Sequence, residues 1–203
     1  DDRRECEGDL FCAADVITPE VLQFMVRKCS GFLCLAMPSL RLEEIGIPRI
    51  SMALRACIRY QTHHSSEVMG KFLGSMQRFG LPDTPFHFPV DLRGLHSGIS
   101  VLDRLETIQA LLKPDANIDW FECPGHLPLL GSHPQLLRGR IGHTETAISL
   151  CKLAGRAQAG LLCEIIDDDC TMSRGDDLSR FAEQHGLDIV TITEVVSHTV
   201  GGF

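Results

Sequence analysis

Residues 138–155, RGRIGHTETAISLCKLAG, place arginines, glycines and a histidine directly ahead of a predicted helix. The N–H groups and the positive dipole end of a helix N-terminus attract phosphate. Gly139 and Gly142 would let the backbone approach such an anion. Arg140 would bind its oxygens as a fork, and Thr144 would cap the helix and donate its hydroxyl. The pattern fits an anion site, but an ordinary capped helix beside surface arginines explains it equally well.

Carboxylates cluster at the start of the chain, in RRECEGD. Glu5, Glu7 and Asp9 alternate, so that they share one face of an extended segment. Crowded like charges are costly unless a cation offsets them, and a magnesium ion bound by oxygen ligands would do so. His143, just before the predicted helix, would project toward a ligand held there, and Arg4 could reach an anionic substrate. The alternatives are a solvated terminus and a structural histidine.

Two further residues could transfer protons. Glu164 interrupts the apolar stretch GLLCEII, so we expect its carboxylate to be buried or to lie at a strand end. Such a group often acts as an acid or base, although a structural salt bridge is an equal alternative. His126, within CPGH in a predicted tight loop, would either polarise a carbonyl or bind the backbone.

Length and composition limit the class of protein. The chain has 203 residues, 44% of them hydrophobic, which predicts a single globular domain. A net charge of −8 argues against partners such as nucleic acid or an anionic membrane. No apolar run is long enough to span a bilayer and the first residues do not resemble a signal peptide, so we expect a soluble, cytoplasmic protein. Nine cysteines without a CxxC pair predict thiols, most of them buried, such as Cys34, Cys151 and Cys163.

Helices and strands alternate over the second half of the chain. The predicted helices lie after the caps Thr18 and Ser100, in 40–47, 65–79, 143–154 and 178–185, with a last turn at 194–198. The predicted strands are 32–37, 85–92 (an edge or bulge because of Pro89), 160–166 and 188–193, and residues 114–126 form a loop. This order favours an α+β class with α/β-type layers, in which helices cover one mixed sheet. Residues 55–85 differ in character and indicate an excursion from the core.

Seven segments, taken in chain order, resemble motifs of the 3,4-dihydroxy-2-butanone-4-phosphate synthase family of riboflavin biosynthesis: RRECEGD, SGFLCLAM, HSGISVLDRLETI, PGH, RIGHTETAISLCKLAG, AGLLCEIIDDD and TMSRGDDLSRFAEQHGLDIVTI. The resemblance covers most of the chain outside 55–85, which it marks as an insertion. It implies the fold of that family in one synthase domain, residues 1–203.

The resemblance also implies a reaction and a site. The family is a carbon–carbon lyase, dependent on magnesium or manganese, that converts ribulose 5-phosphate to 3,4-dihydroxy-2-butanone 4-phosphate and formate. The implied metal ligands are Glu5 and His143. The implied substrate-binding residues are Arg4, Glu5, Asp9, Arg140, Gly142, His143, Thr144 and Glu164. The expected catalytic residues are His126, Glu164, Asp9 and Glu7.

Partners and alternatives follow from the same resemblance. It implies a homodimer with its sites near the interface, and a relationship to longer proteins that carry a GTP cyclohydrolase II domain. The chain departs from the family pattern at Cys6, Pro38, His96 and Ser97, and an upstream helix and strand are expected to be missing. An active synthase is therefore one hypothesis; the other is a diverged, inactive member that binds a sugar phosphate or serves as a non-catalytic partner.

Overall fold

A five-stranded mixed sheet forms the centre of the molecule in a computed structural model that describes residues 6–59, 67–80 and 83–199. The strands are β1 (Asp9–Ala13), β2 (Cys34–Pro38), β3 (Phe86–Leu92), β4 (Phe121–Ser132) and β5 (Gly160–Glu164). Their order across the sheet is β1-β5-β2-β4-β3. β2 and β4 run parallel, while the other neighbouring pairs are antiparallel. The mixed sheet predicted from the sequence is therefore confirmed.

Eight α-helices surround this sheet in the described part of the chain. They are α1 (Pro19–Lys28), α2 (Ser39–Ile45), α3 (Ile50–Arg59), α4 (Glu67–Phe79), α5 (Val101–Leu111), α6 (His143–Leu153), α7 (Asp176–His185) and α8 (Ile192–Thr199). Both predicted caps are confirmed: Thr18 accepts a hydrogen bond from the N–H of Val21, and Ser100 accepts one from the N–H of Asp103. Helix α4 agrees with the amphipathic helix predicted for 65–79, whereas α3 was not predicted.

The two faces of the sheet pack against different helices. On one face, strand residues such as Leu35 and Leu129 form the main core with α1, α2 and α5. On the other, a smaller cluster that includes Leu162 and Leu130 packs against Ala147 of α6. Successive strand residues point to opposite faces, so β2, β4 and β5 each contribute to both clusters. The sheet is thus covered by helices, as the sequence predicted.

Two predicted boundaries are wrong. Strand β4 begins at Phe121, inside the predicted loop 114–126. Residues 188–193 were predicted as a strand, but 187–191 have no regular structure and α8 begins at Ile192. The reason is a capping box: Thr191 Oγ1 accepts from the N–H of Glu194 at 3.1 Å, and Glu194 Oε2 accepts from the N–H of Thr191 at 2.7 Å. This reciprocal pair satisfies the first turn and favours a helix over a strand.

The edge strand β3 carries the predicted irregularity. Its register with β4 shifts between His87 and Val90, around Pro89, and again between Val90 and Asp91. Pro89 has no N–H for the ladder, which explains why this strand lies at the edge.

All nine cysteines lie in the described residues as free thiols. Cys34, Cys151 and Cys163 are buried as predicted, but four others are exposed, so the expectation that most are buried is wrong. Separately, no α-helix in the described ranges is both long and apolar enough to cross a bilayer.

Candidate active site

The N-terminus of α6 is open to a ligand. The helix begins at His143, with Gly142 in an extended conformation as its N-cap and no side-chain cap within the described residues. The prediction that Thr144 caps the helix is wrong, because Thr144 lies buried inside the first turn. The carbonyl of Gly142 instead accepts from the N–H and the hydroxyl of Thr146, at 3.0 and 2.9 Å. An N-terminus that no side chain caps keeps N–H groups for an anion.

Asp9 lies beside this helix terminus. It begins β1, and its Oδ2 atom is 3.9 Å from Nδ1 of His143. The carboxylate is largely buried, with 9% of the side chain exposed, and the imidazole is 23% exposed. Of the acids near the start of the chain, Asp9 therefore lies beside His143. Arg4 and Glu5, the other residues expected here, fall outside the described residues.

Glu164 lies directly across the ladder from Asp9. The two residues are paired in the antiparallel register of β1 and β5, which puts their side chains on the same face about 5 Å apart at Cβ. Glu164 ends β5 and is partly exposed, so it lies at a strand end, as one of the two expected environments. Its Oε2 atom accepts from Ser30 Oγ at 3.2 Å, and its carbonyl accepts from the Ser30 N–H at 2.8 Å. Ser30 therefore fixes the direction of this carboxylate.

His126 belongs to a bulge of β4. Val90 and Asp91 are adjacent in β3, but their partners in β4, Leu127 and Glu122, are not. The residues between these partners, 123–126, therefore have no partner in β3 and form the bulge. Gly125 permits this path, since a Cβ atom there would lie 2.2 Å from the backbone carbon of Val90. His126 was predicted in a tight loop, and the structure gives it a bulge inside a strand.

Asp91 holds His126 with both carboxylate oxygens. Oδ1 accepts from the backbone N–H of His126 at 2.9 Å, and Oδ2 lies 2.6 Å from its Nδ1 atom. Asp91 is 7% exposed, whereas the imidazole is about half exposed. Because an ionised carboxylate only accepts hydrogen bonds, Nδ1 carries the proton and Nε2 is the nitrogen left to exchange one.

The sheet brings His126 and Glu164 to the same end. Leu35 of β2 pairs with both Leu129 of β4 and Leu161 of β5. Glu164 ends β5 three residues after Leu161, and His126 lies in the bulge three residues before Leu129. Because β4 and β5 run in opposite directions, both steps lead to the same end of the sheet. Strand β2 lies between, so that the two backbones are separated by roughly 10 Å, two strand spacings. A small substrate can lie between groups at that separation.

Arg140 precedes α6 in the chain, and its NH1 atom donates to Glu145 Oε2 at 2.9 Å. The arginine side chain is 39% exposed, but Glu145 is completely buried. Glu145 Oε1 accepts from the backbone N–H of His133 at 2.9 Å. The predicted phosphate arginine is thus anchored to the helix that would bind the phosphate.

Glu7 forms an ion pair with Arg174 and also pairs with it in an isolated β-bridge. A catalytic role for Glu7 stays a prediction.

The divergent residues His96 and Ser97 lie in a loop that α5 holds in place. Asp103 Oδ2 accepts from the N–H and hydroxyl of Ser97, at 3.3 and 3.1 Å, and from the N–H of Gly98 at 3.0 Å. Gly98 packs against the carboxylate of Asp91, because a Cβ atom on it would come within 2.2 Å of Oδ2. The loop therefore supports the residue that holds His126, although its sequence departs from the family pattern.

Two thiols near the site remain protonated at neutral pH. A hydrogen bond to Cys163 and burial raise the pKa of Cys29. Burial, together with the charge of Glu164, raises the pKa of Cys34. A protonated thiol is a poor nucleophile, but the hydrogen bond from Cys29 lowers the pKa of Cys163, the residue directly before Glu164.

A cleft of about 620 Å³ opens next to Asp9 and His143. Most of its lining is apolar and comes from β1, α6, α7 and residues 187–192, while Arg140 and Glu164 lie outside the lining. A sugar phosphate needs polar partners, so the polar end of the sheet is a better site than the body of this cleft.

Sequence reasoning missed Asp91, Ser30 and the anchoring role of Glu145. Asp91 was detectable by the rule applied to Glu164, since it too is a lone acid in a predicted apolar strand. Glu145 stands in the first turn of a predicted helix, where an exposed acid that favours the dipole is the ordinary case. Nothing local to Ser30 indicates that it reaches a residue more than a hundred positions away.

Known proteins match the chain over nearly its whole length. The family model described as 3,4-dihydroxy-2-butanone 4-phosphate synthase matches residues 1–198. A synthase of that name from Agrobacterium fabrum is 37% identical over 202 residues, which cover 99% of this chain and 84% of that protein. The riboflavin biosynthesis protein RibBA of Salinispora tropica is 38% identical over 200 residues, and the chain spans 98% of its own length but 44% of that protein.

Solved structures show the same likeness. A crystal structure of 3,4-dihydroxy-2-butanone 4-phosphate synthase in complex with two magnesium ions superposes with a TM-score of 0.80 at 30% identity. The match covers all of this chain and 88% of that one.

Proposed function

The chain belongs to the 3,4-dihydroxy-2-butanone 4-phosphate synthase family of riboflavin biosynthesis, and we propose that it is the lyase that converts ribulose 5-phosphate to 3,4-dihydroxy-2-butanone 4-phosphate and formate. The observation that carries the proposal is the meeting, at one end of the sheet, of an open helix N-terminus, two adjacent carboxylates and a histidine held by an aspartate. The two products together contain all atoms of the substrate, so the reaction needs no oxidant or second reactant.

The phosphate group of the substrate would bind at the N-terminus of α6. Gly142 and Thr144 supply backbone N–H groups there, and Arg140 adds the N–H donors that it does not use for Glu145. Holding the phosphate fixes one end of a flexible sugar, which lowers the entropy cost of aligning its carbon atoms with the acid–base groups.

Proton transfers would involve Glu164, Asp9 and His126. A carboxylate removes the proton next to the ketone, while His126 accepts a proton from a substrate hydroxyl at its unprotonated Nε2 and returns that proton to carbon or oxygen as the skeleton rearranges. Ser30 orients Glu164, and Asp91 keeps the Nδ1 proton of His126 in place. Because the two groups lie on different strands, one can act as a base while the other acts as an acid on the far side of the substrate.

A magnesium or manganese ion would be held by His143 and Glu5. The described residues, which do not include Glu5, contain no cluster of three or more histidine, cysteine or acidic side chains for a metal. Substrate oxygens and water would complete the coordination of the ion. Asp9 and His143, 3.9 Å apart, supply an oxygen and a nitrogen donor that fit this chemistry. When bound, the ion would stabilise negative charge on the substrate oxygens. The related synthase that was crystallised with two magnesium ions supports a divalent metal.

We further propose that the protein acts as a homodimer. The RibBA relatives, of which this chain spans less than half, also support a relationship to longer proteins with a GTP cyclohydrolase II domain.

A product assay tests the function directly. Incubation of the protein with ribulose 5-phosphate and magnesium should release formate and the four-carbon phosphate in equal amounts, detected by NMR, and a chelator should stop the release. Glu164→Gln should abolish it, whereas Glu183→Gln, the same change on the exposed side of α7, should not. A folded protein that binds the sugar phosphate, seen as a thermal shift, but leaves it intact would favour the inactive-member hypothesis.

A further inference from the structure

We propose that Glu145 is a positioning residue for substrate binding: its buried carboxylate holds Arg140 and residues 133–142 in the arrangement that receives a phosphate group. The inference rests on that part of the proposed function which places the phosphate at the N-terminus of α6.

Glu145 makes two bonds from a rigid position. It lies in the first turn of α6, is fully buried, and accepts from His133 N–H with one oxygen and from Arg140 NH1 with the other, both at 2.9 Å. Its backbone carbonyl also accepts from Ser149 Oγ at 2.8 Å. A buried carboxylate rarely remains in a structure without such partners. Here the partners are the two ends of the segment that leads into the helix.

The segment between those partners is closed on itself. The imidazole of His133 accepts from the N–H of Gln135 at 3.1 Å and covers Gly139, where a Cβ atom would lie 1.9 Å from Nδ1. Gly142 borders the ion pair, with its added Cβ at 3.4 Å from Glu145 Oε2. A side chain at 139 would have to displace the His133 ring, so this close approach and the two bonds to Glu145 together define the path of the segment.

The remaining donors of Arg140 are available to a ligand. Within the described ranges, the hydrogen bond of its guanidinium goes to Glu145, and the side chain is more than one third exposed. A guanidinium has five N–H donors in a rigid plane, so that fixing one edge on Glu145 also fixes the direction of the others. The α6 N-terminus lies two residues away along the chain.

The charge of Glu145 makes positioning distinguishable from attraction. A carboxylate beside the arginine opposes the approach of an anion, so simple electrostatics predicts that its removal strengthens phosphate binding. Positioning predicts the opposite. In Glu145→Gln the amide has the same shape, but both partners of Glu145 are N–H donors, so one of them must face the NH2 group. The arginine then loses its fixed orientation.

The experiment measures the binding of inorganic phosphate by calorimetry in the intact protein. Glu145→Gln should weaken the affinity about tenfold, the scale of one charge-assisted hydrogen bond. The Michaelis constant for ribulose 5-phosphate should rise by a similar factor, while the turnover number should change by less than about twofold. Glu106→Gln, the same change on the exposed side of α5, should alter neither quantity.

Unchanged or tighter phosphate binding by folded E145Q would overturn the inference, as would a wild-type protein that does not bind phosphate saturably. If E145Q does not fold, Gly139→Ala serves as the second variant, because its methyl group displaces the His133 ring. This variant should bind phosphate more weakly than the wild type. Wild-type affinity in Gly139→Ala would count against the inference. The two proposals can fail separately. If Glu145→Gln weakens phosphate binding but the wild-type protein leaves ribulose 5-phosphate unchanged, the proposed reaction is refuted and the positioning role of Glu145 is upheld.

Discussion

Two buried carboxylates, Asp91 and Glu145, hold the two halves of the candidate site by the same device. Each uses one oxygen to accept a backbone N–H of a neighbouring segment and the other to bind a side chain that we propose faces the substrate. They differ in what they hold. The partner of Asp91 is a histidine whose charge changes during a proton transfer, whereas the partner of Glu145 is an arginine that stays positive.

The difference indicates which step each carboxylate affects. Asp91 determines which nitrogen of His126 carries a proton, so under the proposed function it would affect a chemical step. Glu145 determines where a fixed charge points, so under the proposed function it would affect phosphate binding. The two carboxylates make similar contacts, but we expect changes at Asp91 to alter the turnover number and changes at Glu145 to alter the Michaelis constant. Four predictions test this contrast, from the largest expected effect to the smallest.

Asp91→Asn should have the largest effect on turnover. Its amide can donate to His126 Nδ1, which favours the tautomer with the proton on Nε2 and removes the acceptor that the chemistry needs. We expect the turnover number to fall about 10² to 10⁴-fold, the range for loss of a general acid or base, with little change in the Michaelis constant. Steady-state kinetics checks this, with Asp115→Asn on the exposed surface as the control. A change confined to the Michaelis constant would erase the contrast with Glu145.

Arg140→Ala should reduce stability as well as phosphate binding. Among the described residues, it leaves the fully buried Glu145 carboxylate with only the His133 N–H as a hydrogen-bond partner. Because the arginine itself is 39% exposed, water can partly replace it, and we expect a loss of about 1 to 3 kcal/mol in the free energy of unfolding. Urea denaturation measures this, with Arg27→Ala of α1 as the control. Adding Glu145→Gln to Arg140→Ala should recover part of the loss; a further loss would contradict the buried-charge explanation.

Ser30→Ala should lower turnover modestly. It removes the hydroxyl that donates to Glu164 Oε2 at 3.2 Å, so the carboxylate keeps its place but loses part of its orientation. One hydrogen bond of about 1 kcal/mol corresponds to a change of about fivefold in the turnover number. The matched control is Ser179→Ala on α7. Turnover that falls as far as in Asp91→Asn would show that Ser30 has a larger role than orientation.

His87→Gln should change the pH dependence of stability but not catalysis. His87 is fully buried and its Nδ1 atom lies 2.8 Å from the carbonyl of Ile47, a residue outside the site. Burial lowers the pKa of His87 below its ordinary value of 6.5. The stabilising effect of the neutral imidazole is therefore complete above about pH 6.5 and is lost as the pH falls, because the unfolded chain takes up the proton first.

Thermal unfolding between pH 5 and 8 measures this effect. The wild type should lose stability on the acid side more steeply than His87→Gln, and both proteins should have the same kinetic constants at pH 8. Parallel pH curves would exclude His87 as the source of the acid sensitivity. His87→Gln is therefore the comparison for the variants of Asp91 and Glu145, because His87 is a buried polar residue whose partner, Ile47, lies outside the candidate site.

The sequence predicted elements well where local chemistry decides them. Thr18 and Ser100 act as caps, and Pro89 forces an irregular edge strand. The prediction of a strand at 188–193 was wrong. It followed the β-branched residues of this stretch, although the sequence also contains the T-x-x-E capping box that begins at Thr191 and starts α8. Helix α6 was predicted at the right place, but its cap is Gly142 rather than Thr144.

The candidate site was predictable only in part. Asp9, His143 and Glu164 were singled out from their types and neighbours, and the resemblance related them to one reaction. The residues that hold these side chains could not be predicted in the same way. Ser30 and Glu164, for example, are distant in the chain and meet because the Ser30 N–H donates to the Glu164 carbonyl at the end of β5. Such contacts depend on strand order and register, which local patterns do not specify.

The pairing of Asp9 with Glu164 also limits how the first strand can change in length. In β1, Asp9 and Phe11 face α6, while Leu10 and Cys12 pack into the main core. Deleting one residue between Asp9 and the end of β1 would shift the alternation by one place, driving either the acid into the apolar interior or the apolar residues out of it. Related sequences that keep this chemistry should therefore accept substitutions in β1 far more readily than insertions or deletions.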